Sequence, residues 1–265
     1  MALMRHNTSK ITRFFDNTAF KWLEIYKRPQ KASDLVLFDR ANIAVEFVNA
    51  WLASGSKILD VGCGAGIVSM KLAQQGYLLH GVDISRNMVG LCHKSFAETF
   101  EKDEPHAFTA GNFLEIDLER ESFDGIVALG FLEYQENEIG CVKRFFELLK
   151  PKGILVISGP MRWALTEIFG MRNIPRILFS GIFDRHISPF KNYYSLSRLS
   201  GLLRESGFNI LDQKRHGFAS FPIIGKVIGL NGEMQLSRIL ETLSSSLPLK
   251  TFCSDLVIIA GKGIN

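Results

Sequence analysis

Two carboxylates frame a run of glycines in this sequence. The stretch LDVGCGAG (59–66) sets Asp60 two residues before Gly62, and GVDIS (81–85) sets Asp83 at the end of the next apolar run. Glycines at 62, 64 and 66 let a chain leave a strand sharply and approach a ligand with bare backbone. They also open a helix whose N-terminus offers free N–H groups. A carboxylate at the end of the second strand can accept hydrogen bonds from both hydroxyls of a ribose. The pattern reads as a nucleoside site. It departs from the dinucleotide fingerprint G-x-G-x-x-G, because the third glycine comes one position early and position 67 is Ile. Asp60 would repel a diphosphate and would favour a cationic ligand.

Strands and helices must position these groups. KILDV (57–61) reads as a strand, GCGAG as the turn and IVSMKLAQQG (67–76) as a helix ended by Gly76. The strand 77–83 and the helix 85–100 follow, then strands at 106–111 and 122–130. A helix at 138–149 is stopped by Pro151, and a fifth strand spans 153–159. A helix at 194–208 and strands at 209–218 and 255–263 complete the pattern. Alternating strands and helices predict a doubly wound α/β fold, a seven-stranded parallel sheet covered on both faces. Two helices precede it. In the first (7–28), Phe15, Ala19, Trp22 and Tyr26 share one face; in the second (34–53), Leu37, Ala41, Ala44, Val45 and Val48 do. The expected division is an N-terminal helical arm or cap over 1–53 and a main domain over 54–265, with helical insertions at 160–192 and 219–252. S-adenosylmethionine, which carries a sulfonium and an ammonium, is a cation suited to Asp60.

LDVGCGAG resembles motif I of class I S-adenosylmethionine-dependent methyltransferases, which have a Rossmann-like sheet. FDGIVALGFLEY (123–134), LLKPKGILVISGP (148–160) and SGF (206–208) resemble the later motifs. FFDNTAFKWLEIYKRPQ (14–30) is similar to the start of magnesium-protoporphyrin methyltransferases and ubiquinone-biosynthesis O-methyltransferases. Those enzymes often carry a histidine after the fourth strand, where this chain has Glu133. The resemblance implies a methyl transferase for a small molecule, with S-adenosylmethionine as cofactor and an oxygen as the expected acceptor atom. It implies Asp60, Gly62 and Gly64 at the methionine end, Asp83 on the ribose and Ile84 on the adenine, with Met88 either beside it or in the core. Asn112 and Phe113 fall where the adenine amino group is read, although an Asn there also suits a turn. Leu129 and Gly130 pass the methionine moiety through backbone groups. Tyr26 and Arg40 lie on the covering helices, and Arg40 can bind the methionine carboxylate or simply be a surface arginine. Glu133, His186 and His216 are the candidate bases, with Glu133 and His186 placed nearest the reaction. A base is needed only if the acceptor must lose a proton. A nucleotide-binding reductase and a non-catalytic cofactor-binding accessory protein are the rival readings.

Composition narrows the partners. The 265 residues are 46% hydrophobic and 22% charged, the balance of a folded globular chain. Four scattered cysteines, with no C-x-x-C pair, argue against structural zinc and fit a reducing, cytoplasmic setting; no metal is expected. MALMRHNTSKITRFF lacks the apolar core of a signal peptide, and no run reaches the ~18 apolar residues of a membrane span. Residues 1–31 are basic and 98–124 acidic, but no nucleic-acid motif accompanies the charge, so no nucleic acid is expected. The stretch 160–191 mixes Trp163, Phe169, Phe179 and Phe183 with basic residues. It suits a lid over a lipophilic or aromatic acceptor, peripheral contact with a membrane, or simple cover for the sheet.

Overall fold

The structure, a computed structural model, describes residues 2–27, 32–101, 105–161, 191–217, single positions between 229 and 243, and 253–263. Most of 160–192 and 219–252 therefore lies outside the described residues. Helix α1 (Ala2–Lys27) and helix α2 (Ala32–Trp51) lead into strand β1 (Lys57–Val61), helix α3 (Ile67–Ala73), strand β2 (Leu78–Asp83) and helix α4 (Arg86–Thr99). Strands β3 (Ala107–Ala110) and β4 (Phe123–Ala128) come next, followed by a 3-10 turn (Leu132–Tyr134), helix α5 (Glu138–Leu148) and strand β5 (Leu149–Pro160). Helix α6 (Leu196–Glu205) and strands β6 (Phe208–His216) and β7 (Asp255–Lys262) close the described chain.

All seven strands join one sheet in the order β3-β2-β1-β4-β5-β7-β6. Within the sheet, β3, β2, β1, β4 and β5 pair in parallel, whereas β7 runs antiparallel to both β5 and β6. The wholly parallel sheet expected from the alternation is thus corrected at β7. Strand orientation depends on whether a connection crosses the sheet. Here β6 and β7 are consecutive and adjacent, and neighbours joined without a crossover run antiparallel. Strand β5 also begins earlier than expected, with Leu149 paired to Phe123 before a register shift.

Neighbouring residues of the central strands feed opposite faces. Leu59, Ile126, Leu155 and Ile258 pack with Val142 and Phe145 of α5 and Leu203 of α6. Ile58, Val127, Val156 and Val257 pack with Ala44 and Val48 of α2, Leu72 of α3 and Cys92 of α4. A strand buried on both faces has no polar alternation, which is why these segments read as continuous apolar runs. The parallel strands β1, β2 and β4 end on the same edge, and Asp60, Gly62, Gly64 and Asp83 are delivered there.

Candidate active site

A cavity of about 790 Å³ opens along that edge. Its walls include Asp60, Gly62, Gly64, Asp83, Ile84, Met88, Asn112, Phe113, Leu129, Gly130, Glu133 and Arg40, so most of the expected site residues converge on one space. The glycine turn shows why its residue types are required. Gly62, Gly64 and Gly66 have φ of +75°, +55° and +80°, the left-handed region that side chains rarely adopt. A Cβ on Gly62 would lie 3.2 Å from Phe131. A Cβ on Gly66 would fall 2.3 Å from Cys92 Sγ, so the third glycine serves the packing of α3 on α4 rather than a ligand.

The two carboxylates are built differently. Asp83 accepts from Gly64 N–H at 2.9 Å through Oδ2 and from Ser85 N–H at 2.8 Å through Oδ1. It therefore ties the glycine turn to the start of α4 while lining the cavity. Burial nevertheless pushes its carboxyl upward. Asp60 is buried and accepts from the Ser69 hydroxyl at 2.6 Å. Burial pushes it up to about 7, Ser69 opposes this, and the charge of Asp83 adds to it.

The Asn112 carboxamide is used locally. Its Oδ1 accepts from Leu114 N–H at 3.2 Å and its Nδ2 donates to Glu115 at 2.9 Å, closing the turn after β3. Phe113 is buried between Phe131 and Phe145. Met88 lines the cavity and packs with Ala19 of α1 and Ala65. Gly130 donates its N–H to Ser158 Oγ at 3.0 Å, and a Cβ there would meet the Arg40 guanidinium at 3.0 Å. Arg40 is paired with Asp255 at 3.3 Å and only 12% exposed, so it is a wall of the site and no surface residue. Tyr26 lies on α1, but its side chain is outside the described residues, as is His186.

Among the candidate bases, Glu133 is in the cavity wall. Its carboxyl pairs with Lys191 at 3.4 Å through Oε1, and its Oε2 meets no hydrogen-bond partner among the described residues. Burial raises it above the ordinary carboxylate range, against the pull of Lys191 and Arg40. His216 is ruled out as a base facing the cavity. It is buried behind the site, 3.8 Å from Asp255, and burial lowers it to about 3. The spacing missed several wall residues. Phe15 and Trp22 of α1, Tyr134 and Lys191 line the same cavity, and the Phe15 and Tyr134 rings meet edge to face at 5.3 Å. The helical face of Phe15, Ala19 and Trp22 was visible in the sequence, but the sequence alone could not show that this face covers the sheet edge.

The family model described as a methyltransferase domain matches residues 27–213. A ubiquinone biosynthesis O-methyltransferase from Pasteurella multocida (strain Pm70) is 31% identical over 149 residues, covering 51% of this chain and 61% of that protein. Another from Pseudomonas fluorescens (strain SBW25) is 29% identical over 177 residues, covering 65% and 72%. The chain spans 50% and 61% of the length of the first curated relatives it matches. The magnesium protoporphyrin IX methyltransferase from Synechocystis PCC 6803 with bound SAH has the same fold, with a TM-score of 0.68 at 19% identity over 96% of this chain and 99% of that one.

Proposed function

The chain belongs to the family of methyltransferase domains, and from that premise we propose that it methylates a protic group, an oxygen in our reading, on a lipophilic or aromatic small molecule. The residues present fit S-adenosylmethionine as the cofactor. Asp60 offers a carboxylate to a cationic sulfur and ammonium, Asp83 one to a ribose, and the left-handed turn at Gly62 and Gly64 keeps the wall between them free of side chains. When bound, the cofactor supplies a methyl group on an excellent sulfonium leaving group. The chain must hold acceptor and methyl in line, keep water out and receive a proton.

Aromatic rings supply the first two tasks. Phe15, Trp22, Phe131 and Tyr134 line the part of the cavity between α1 and the turn after β4, a surface suited to a flat apolar molecule. Glu133 supplies the third. The single observation that carries the reading is the buried carboxyl of Glu133 among the cavity-lining residues, with an Oε2 that has no donor among the described residues. Rotation of the Glu133 side chain would bring that oxygen to the cavity, where a hydroxyl of the acceptor would donate to it and pass its proton to it as the new bond forms. An anionic acceptor fits less well, because the cations lining the described wall, Arg40 and Lys191, are both ion-paired.

The test is methyl transfer from labelled S-adenosylmethionine to a panel of aromatic hydroxyl, carboxyl and amino compounds. Hydroxyl compounds should be methylated. Glu133→Gln should lower kcat by roughly 10²–10⁴ while S-adenosylhomocysteine binds as before. Undiminished turnover by Glu133→Gln would remove Glu133 from the chemistry.

A further inference from the structure

We infer that Lys191 is a positioning residue for Glu133: it keeps this buried carboxyl ionised through Oε1 and leaves Oε2 without a protein donor among the described residues. The inference rests on the reading of Glu133 as the proton-accepting group and adds to it the residue that makes Glu133 competent.

A carboxylate this buried cannot stand alone. Its side chain is 2% exposed, and an uncompensated charge at such depth picks up a proton instead. The charged and titratable groups that face it come from several elements. Arg40 on α2 and Asp255 on β7 form their own pair at 3.3 Å, so their fields at Glu133 largely oppose each other. His216, on β6 beyond Asp255, is held neutral by burial. Tyr194 donates its hydroxyl to Glu138 at 2.5 Å. Lys191 remains, with its ammonium 3.4 Å from Oε1 and its side chain 30% exposed. It is also the strongest of the influences that pull the Glu133 carboxyl back down, ahead of Arg40.

The backbone shows that this contact is fixed. Asn192 N–H donates to the Glu133 carbonyl at 2.7 Å, and its Nδ2 donates to the Gln135 carbonyl at 3.0 Å. The Lys191 ammonium also sits 5.8 Å from the centre of the Tyr134 ring. Residues 191 and 192 thus contact Glu133 and Tyr134 of the 3-10 turn and Gln135 just after it. The choice of lysine matters. An ammonium acts as a point charge and engages one oxygen, whereas a guanidinium binds a carboxylate through both.

The experiment is an infrared pH titration of the protein loaded with S-adenosylhomocysteine and carrying ¹³C-labelled glutamate. Lys191→Met should move the protonated-carboxyl band of one glutamic acid to higher pH by about 1–3 units. The band should vanish in Lys191→Met/Glu133→Gln. Lys191→Arg should restore the parent titration, because it restores the charge. Lys191→Gln, which keeps a polar head at the exposed end, provides the same comparison should Lys191→Met fold poorly. A titration unchanged in both Lys191→Met and Lys191→Gln overturns the inference. The two readings fail separately: if the band shifts as stated but Glu133→Gln retains full turnover, the base assignment falls and the electrostatic role of Lys191 stands.

Discussion

Asp60 shows how one residue can join stability to ligand binding. Burial carries its carboxyl from an ordinary value near 3.8 up to about 7. Between those values the folded protein holds a proton that the unfolded chain has lost. The stability that depends on this proton is complete below about pH 4 and is lost as pH rises through about 7. A cation placed beside Asp60 reverses the preference and expels the proton. Affinity for S-adenosylmethionine should therefore climb as pH rises from about 6 to about 8. S-adenosylhomocysteine, which lacks the sulfonium, should show a smaller slope, and Asp60→Asn should flatten both. Titration calorimetry across that range checks this; equal, flat affinities in the parent would separate Asp60 from the cationic sulfur. At this scale the sequence spoke through local order. Asp60, Gly62, Gly64, Asp83 and Glu133 could be placed because their neighbours along the chain fix where they fall on a strand end. The partners Ser69, Lys191 and Asp255 could not, because those contacts depend on how distant segments pack.

Helix α1 is tied to α4 by polar contacts of one residue. Its Asp16 accepts from the Ser85 hydroxyl at 2.6 Å and from Asn87 N–H at 3.2 Å, while the Asp16 carbonyl accepts from Asn87 Nδ2 at 3.0 Å. Ser85 in turn caps α4 by accepting from Met88 N–H at 3.1 Å. A carboxylate from one helix thus stands at the positive end of another, a favourable arrangement. This docking puts Phe15 and Trp22 over the cavity. Asp16→Ala should cost about 1.5 kcal/mol of docking, the low end for a charged hydrogen bond because the site is partly exposed. Hydrogen exchange in α1 should then run roughly tenfold faster while β4 and β5 are unchanged. Exchange unaltered in α1 would show that Ala19, Ala65 and Met88 hold the helix without Asp16. The apolar face of α1 was legible as a period of three and four residues. Its seat on α4 was not, because Asp16 belongs to the polar face and nothing local marks its partner. The reversed direction of β7 was hidden for a similar reason: DLVIIAGK has the same double-sided apolar pattern whichever way it runs.

At the scale of the whole molecule, the cavity joins parts that are far apart in sequence: the glycine turn, the end of β4, α1, and residue 191 before α6. A ligand that fills it bridges these parts only in the folded state, so binding must raise the stability of the whole. At a hundredfold excess over Kd, S-adenosylhomocysteine should add about 2.7 kcal/mol. For a chain of this size that is a rise in Tm of roughly 5–11 °C. NADH at the same concentration should leave Tm unchanged, because its diphosphate would have to lie against Asp60 at the glycine turn. Asp83→Ala loses a charged acceptor for ribose hydroxyls as well as the link to Gly64, and its affinity should fall at least tenfold. At the same ligand concentration its thermal shift should then be about half that of the parent or less, since RT ln(1 + [L]/Kd) drops to about 1.4 kcal/mol. The shift is taken within each protein, so any change in the stability of the ligand-free variant cancels. Differential scanning fluorimetry decides the matter: an NADH shift equal to that of S-adenosylhomocysteine, or a full shift in Asp83→Ala, would mean that the ligand does not lie across the ends of β1 and β2.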